Sequence, residues 1–386
     1  MIQNALPYVA FLIFFAGLLV FLEKTLKLKV FKYVPAIVML YFFAMLLSTF
    51  GVWQKTPQIT AAYKALKDGL LPAMIFLMLL RCDLRKIFKL GPRMLLGFFA
   101  ATITIMIGFI VTFAIFKGAF EPGSWKAFAA LSGSWIGGTG NMVAIQGALD
   151  VPDANMGYTL LIDSINYSIW VMFLLWVVSF APAFNKWTKA NSKVLDEVGQ
   201  KLGAATEGNR TNVEFVDLIV LLGTSLLVSA LSIWLGGMLP KSVFFQSSTW
   251  TVLIATAAGV ICAMTPLAKL PGSNHLSNLM LYTIVGLIAS RANFAELTQA
   301  PIYILAGFCI LGIHAILLAL VAKLCKLDLF TCGVASLANI GGVASAPILA
   351  ASYGEALVPI GVLMALMGYI VGTGGGLLVG KVLSIL

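Results

Sequence analysis

The sequence predicts an all-α polytopic membrane protein: 11 to 13 transmembrane helices in two inverted repeats, with a broken helix in each. Three observations carry this reading. Hydrophobic residues make up 60% of the 386 residues and charged residues 10%, with a mean hydropathy of +0.99; a soluble domain carries about 25% charge. Apolar runs extend over 95–116 and 159–181, long enough for a helix to cross the hydrocarbon core. Ile-Gly-Gly occurs twice, at 136–138 and 340–342, each time inside such a run. A β-barrel would instead show alternating segments of about ten residues.

The candidate spans, in order, are 5–22, 33–52, 69–80, 94–116, 127–149, 156–181, 216–238, 249–265, 277–290, 300–322, 329–352 and 356–383. The first has no basic stretch ahead of it and no small-residue cleavage site before Glu23, so it reads as a retained span and not a signal peptide. The third and ninth are short. The fifth and eleventh are interrupted by the glycine pairs, which weaken a helix through backbone entropy. The polar stretch 185–214 reads as a linker, with room for an amphipathic helix. It separates a first repeat, 1–184, from a second, 215–386.

The halves match beyond the glycines. Arg81 follows a short apolar segment and precedes Pro92 and a long span; Arg291 does the same before Pro301. Duplication explains this order. Twelve spans would make the repeats parallel, but the charges argue for inversion. Lys24, Lys27, Lys29 and Lys32, then Arg81, Arg85, Lys86, Lys89 and Arg93, place the loops after spans one and three in the cytoplasm. Lys323, Lys326 and Lys381 fit the cytoplasm only if the second half is flipped. One span is therefore miscounted, around the linker or in one of the short segments. The net charge of +10 reflects these loops and does not call for nucleic acid.

Nearly all of the 15 acidic residues lie in loops or at span ends; Asp163 lies within a span. A carboxylate at mid-bilayer costs about 2.5–3.5 kcal/mol on insertion scales and usually serves transport. A proton or a cation lowers that cost. Asn166 lies one turn on, and the two together form the expected ion-coupling pair. The first broken segment adds Ser132, Ser134, Thr139, Asn141 and Gln146, and the second adds Ser336, Asn339 and Ser345, all oxygen donors of the kind a hard cation prefers. A Na+ site would draw on Asp163, Asn141 and Thr139. Gly137, Gly138, Gly140, Gly341 and Gly342 would break the helices and free backbone groups for an ion or an anionic substrate. The bland alternative is close helix packing, which also accounts for Gly372, Gly374, Gly375 and Gly376. His314 reads as a packed, hydrogen-bonded imidazole. The five cysteines read as buried thiols, Arg81 and Arg291 as topology anchors, and Trp53, Trp125, Trp187 and Trp250 as an interfacial belt.

The sequence has no HExxH, no GxSxG and no Walker loop. Enzymatic and ATP-driven function are therefore not expected. The stretch Leu131-Ser132-Gly133-Ser134-Trp135-Ile136-Gly137-Gly138-Thr139-Gly140-Asn141-Met142-Val143-Ala144 resembles the signature of a bacterial membrane family, domain of unknown function 819. That resemblance implies kinship with cation/proton antiporters and bile-acid sodium symporters. Their inverted repeats place two broken helices across each other in a core domain that moves against a second domain. Antiporters of that group carry an acidic or Asn-Asp pair on the next helix. Asp163 occupies the comparable place, but Ile162 precedes it.

The expected function is a secondary transporter in the plasma membrane, coupled to Na+ or H+ and carrying a small, anionic organic solute. It needs no cofactor beyond the coupling ion. Its partners are the lipid bilayer, the solute and a second copy in a homodimer. The alternatives are a Na+/H+-type antiporter without organic substrate, a membrane sensor that transports nothing, and a channel.

Overall fold

A computed structural model describes residues 1–27, 31, 35–190, 212–242, 245–292, 300–354 and 357–386. Of the expected linker, 185–214, residues 191–211 lie outside the described residues, and its first four residues belong to the helix Ala181–Thr188. The described chain is helical, with one isolated bridge between Ile2 and Trp53. The first half contains α1 (Ala5–Lys24), α2 (Ala36–Thr49), α3 (Pro57–Leu79), α4 (Leu84–Ile87), α5 (Gly91–Phe116), α6 (Trp125–Gly137), α7 (Thr139–Leu149), α8 (Asp153–Val177) and α9 (Ala181–Thr188). The second contains α10 (Phe215–Met238), α11 (Ser247–Cys262), α12 (Ser273–Ala289), α13 (Ala300–Cys325), α14 (Leu329–Ile340), α15 (Gly342–Tyr353) and α16 (Val358–Leu383). Six of these helices are long and apolar enough to cross a membrane.

Helix α3 is longer than hydropathy alone suggests. Thr56 caps it by accepting from the Ile59 amide, and Pro57 opens it. Lys64, Lys67 and Asp68 occupy its first half, so only its apolar second half registers as a candidate span.

The molecule has two ends. One holds both termini: Ile2 N donates to Val52 O at 2.8 Å, and Lys117 Nζ to Leu386 O at 2.8 Å. The other borders the linker: Leu329 N donates to Asn185 Oδ1 at 2.8 Å, and Arg93 bonds the Lys326 carbonyl. Lys381, near the end of α16, therefore lies at the opposite end from Lys323 and Lys326, which corrects their grouping on one face.

The helix breaks fall at the glycine pairs, but the chain does not continue across. It turns back. Lys126 Nζ, at the start of α6, reaches Asp150 O, at the end of α7, at 3.5 Å. The rings of Phe330 and Tyr353, at the outer ends of α14 and α15, have centroids 5.3 Å apart. Each pair is thus a helical hairpin whose two ends share one end of the molecule. α6–α7 enters from the termini end and α14–α15 from the linker end. Gly138 at φ +84° and Gly342 at φ +58° make the reversals in left-handed backbone, which side-chain-bearing residues seldom adopt.

Counting each hairpin as a turn-back leaves, among the described residues, ten helices that run between the two ends. Among the described residues five of these helices lie in each half, and α1 and α10, the first of each half, start from opposite ends. The packing agrees. Gly108 lies against Ile310 and Thr104 against His314, so α5 and α13, which match in the two halves, run antiparallel.

The halves interleave in space. The first three passes of each half, α1–α3 and α10–α12, pack into one bundle. The rest, α5, α8, α13, α16 and the hairpins, pack into another. A glycine rail on α16 brings α6 close. Side chains at Gly372, Gly376 or Gly380 would strike Asn141, Gly133 or Ala129, and one at Gly375 would crowd Ile136, so the packing role expected for this stretch holds at Gly372, Gly375 and Gly376 but not at Gly374, where a side chain would meet nothing. Trp53 is buried, with Nε1 donating to Ser290 O at 2.8 Å, and is no interfacial anchor.

Cysteines at 126 and 150, or at 330 and 353, in a variant without the native cysteines should be joined by a short bifunctional thiol reagent. A helix continuing through the break would hold each pair roughly 35 Å apart, beyond its reach.

Candidate functional site

The two hairpin tips meet between α8 and α16. Gly368 on α16 faces the carbonyls of both Ile136 and Ala338. Tyr369 Cε1 lies 3.5 Å from where a Gly138 Cβ would stand and 3.9 Å from that of Gly342. One ring thus touches both reversals. Each tip presents the carboxyl end of one helix and the amino end of the next, leaving backbone carbonyls and amides without helical partners there.

Asp163 projects from α8 onto the last turn of α6. Its Oδ1 accepts from Trp135 Nε1 at 2.9 Å and its Oδ2 from Ser134 Oγ at 3.2 Å. Both donors are neutral, and among the described residues no cation pairs with the carboxylate. A carboxylate held by two neutral donors keeps its charge uncompensated and retains lone pairs for a cation.

The two asparagines have structural duties. Asn141 Nδ2 donates to Gly137 O at 2.7 Å, closing the first reversal. Its Oδ1 accepts from Thr373 Oγ1 on α16 at 2.6 Å. Asn339 Nδ2 donates to Ala335 O at 2.9 Å, and its Oδ1 accepts from Thr102 Oγ1 on α5 at 2.8 Å. Each asparagine therefore bonds back one turn and ties its hairpin to a full-length helix. Both are fully buried, where an unmet amide would cost free energy.

The remaining expected residues divide into two groups. Thr139 is half-buried at the first tip. Ser345 is buried in the first turn of α15 over Gly341; its hydroxyl faces Tyr167 without a well-formed hydrogen bond. These stay with the tips.

Ser132 bonds back to Ala129 O at 2.7 Å, within α6. Ser336 accepts from Trp170 Nε1 at 3.0 Å and pairs with His314 Nε2 at 2.8 Å. His314, whose Nδ1 meets Thr104 Oγ1 at 2.8 Å, is the packed imidazole the sequence suggests. Gln146 lies near the outer end of α7 and donates to Asp153 Oδ1 at 3.0 Å, away from the tip. Asn166 is buried against Gly307, and its Nδ2 donates to Ile304 O at 3.2 Å. It faces α13, not the tips, so it is not brought into a pair with Asp163. A spacing of three residues leaves room for that divergence on a helix flanked on both sides.

Sequence reasoning missed Trp135, Thr102, Thr373, Tyr167 and Tyr369. Trp135 stands inside the repeated segment, and its donor nitrogen in an apolar run is a usable signal. Tyr167 follows Asp163 by one turn on α8, a spacing the sequence shows; Thr102, Thr373 and Tyr369 act from distant helices, which periodicity cannot pair.

An all-helical bundle in which six of the described helices are long and apolar enough to cross a membrane defines a multi-pass membrane protein. The family model "Protein of unknown function (DUF819)" matches residues 10–386, so the chain belongs to the DUF819 family. It is also similar to the uncharacterized membrane protein YjcL of Bacillus subtilis (strain 168). They are 25% identical over 357 residues, which cover 88% of this chain and 87% of YjcL.

Replacing Asn141 or Asn339 by alanine removes two buried hydrogen bonds; at Asn141 it also strands the Thr373 hydroxyl, whereas Thr102 Oγ1 still has the Phe98 carbonyl at 3.0 Å. Each variant should lose about 1–3 kcal/mol, read as a lower melting temperature of the detergent-purified protein. An unchanged melting temperature would refute the tie.

Proposed function

We propose that the protein is an ion-coupled secondary transporter that works by alternating access. The observation that carries this is the meeting of two hairpins from opposite ends beside a carboxylate without a cation partner. A chain reversal at membrane depth is tolerated only where protein or a wet cavity receives its freed backbone groups. Discontinuous helices of this kind, one per inverted repeat, place substrate and coupling-ion sites near the midplane.

Placed in a bilayer, ten helices cross and the two hairpins re-enter. Among the described residues, twelve lysines and arginines lie at the linker end and eight at the termini end. The excess puts the linker end in the cytoplasm and both termini outside. A reporter active only outside the cytoplasm, fused after Leu386, should be active; the same reporter inserted after Lys189 should be silent.

Asp163 carries the coupling ion, Na+ or H+. The amino ends of α7 and α15 both point at the tips, where partial positive charge favours an anionic group on a small organic solute. Thr139 and the Ser345 hydroxyl complete the polar lining. Tyr167 and Tyr369 supply its walls.

Asp163→Asn should abolish ion-driven uptake into proteoliposomes while leaving insertion and melting temperature near wild type. Gly138→Leu and Gly342→Leu should block it as well, since both reversals use left-handed backbone beside Tyr369. Wild-type rate and ion dependence in Asp163→Asn would refute the coupling role. Na+ movement driven by a pH gradient without any solute would favour an antiporter instead.

A further inference from the structure

The two hairpins match in sequence but not in surroundings. Every residue of α7 from Gly140 to Leu149 is buried. It packs on α3 and α11 of the other bundle. Gly147 lies against Leu71, and the Ala148 carbonyl accepts from Thr249 Oγ1 at 2.6 Å. Helix α15 instead packs on α14, α16 and α8 within its own bundle. Its other face is open: Ala344, Ile348, Ala351 and Ser352 are exposed. The first hairpin is covered from the termini end, and the second is uncovered toward the linker end.

A polar cluster pins the covered side. Asp153, the first residue of α8, accepts from Tyr63 Oη at 2.6 Å through Oδ2 and from Gln146 Nε2 at 3.0 Å through Oδ1. Tyr63 belongs to α3 in the opposite bundle, so this carboxylate bridges the two bodies. Lys67 Nζ lies 3.4 Å from the Tyr63 hydroxyl, and the Arg291 guanidinium stands 5.1 Å from the centre of its ring. Arg291 also bonds Thr60 Oγ1 at 3.2 Å. Tyr63 is 6% exposed, and Gln146 Oε1 is buried without a partner. A short bond from a buried phenol to a carboxylate, backed by two cations, is among the stronger neutral-to-ion contacts.

We infer that the Tyr63–Asp153–Gln146 cluster is the latch that closes the transport path at the termini end, and that the opposite state forms when α15 docks on α12 as α7 now docks on α3. Inversion supplies the partner positions. The glycine pairs are offset by 204 residues and the arginines Arg81 and Arg291 by 210. Gly147 on α7 therefore corresponds to Ala351 on α15, and Leu71 on α3 to Leu281 on α12. Ala351 is exposed and Leu281 half-buried in the latched conformation.

The inference rests on the transporter reading, but its test does not need a known solute. In a variant without the native cysteines, Thr139→Cys reports the tip and a membrane-impermeant maleimide reports the side. With the latch intact, labelling should proceed from the cytoplasmic side and be at least tenfold slower from outside. Tyr63→Phe keeps the ring under Arg291 but removes the bond to Asp153, and Asp153→Ala removes the acceptor. Either should raise outside labelling at least tenfold.

In the same variants, cysteines at 351 and 281 should cross-link more readily than in the latched protein. A merely structural Asp153 would lower the melting temperature of Asp153→Ala and leave sidedness and cross-linking unchanged. That result, or equal labelling from both sides with the latch intact, would overturn the proposal. Correct sidedness without any ion-driven flux would instead remove the transporter reading and keep the latch.

Discussion

Everything in this fold follows from one constraint: a backbone that reverses direction in the middle of an apolar body must still satisfy its amides and carbonyls. A continuous helix does this internally. A hairpin cannot, because its tip exposes the end of one helix and the start of the next. Here each reversal is handled by a glycine in left-handed backbone and an asparagine nearby. Asn141 lies just after the first reversal and Asn339 just before the second. The asparagine serves the backbone with its amide nitrogen and a threonine of a full-length helix with its oxygen. At Asn141 the nitrogen meets the Gly137 carbonyl at the reversal itself; at Asn339 it meets Ala335 O inside α14, so there the asparagine fixes the position of the hairpin and not its turn. The rest of the hairpin-bearing bundle, from the glycine rail on α16 to the Gly307–Asn166 contact, keeps the surrounding helices close enough for these short side chains to reach.

This constraint explains what was legible in the chain and what was not. The two breaks were readable because glycine pairs in membrane-length apolar runs have few explanations. Asp163 was readable because a carboxylate within such a run is rare. The direction after each break was not readable. A through-going helix and a turn-back contain the same residues, and only φ at Gly138 and Gly342 separates them. That ambiguity caused the conflict between twelve apolar segments and the loop charges. Treating both interrupted segments as spans leaves the repeats parallel, while two turn-backs make each half odd and flip the second, as Lys323 and Lys326 require. The full length of α3 stayed hidden because Lys64, Lys67 and Asp68 dilute its first half. Asp153 looked like an ordinary span-end carboxylate, since its partner Tyr63 is 90 residues away in sequence.

Asp163 and Asp153 lie on one helix ten residues apart and face different tasks. Asp163 is met by neutral donors from its own bundle, so binding an ion there changes charge without breaking a bridge between the two bodies. Asp153 is met by a phenol of the other bundle with cations beside it, so its contacts depend on where that bundle stands. In the proposed cycle a helix that bears both can link occupancy at the tips to the fit between bundles, because α8 is one continuous helix from Asp153 to Val177.

Inverted repeats make such coupling economical in a structural sense. Two halves with the same fold, placed head to tail, can each adopt the docked or the undocked form of a hairpin. In the proposed cycle, a body that docks one hairpin and leaves the other open has a second state of similar energy in which the roles exchange. The sequences have diverged enough to bias that balance: Asp153 and Tyr63 support the docked first hairpin, while Ile348, 60% exposed, leaves apolar surface on the second unsatisfied within the protein. In the proposed cycle the apolar face favours docking and the latch opposes it, so the two states need differ by only a few kcal/mol for an ion at Asp163 to decide between them.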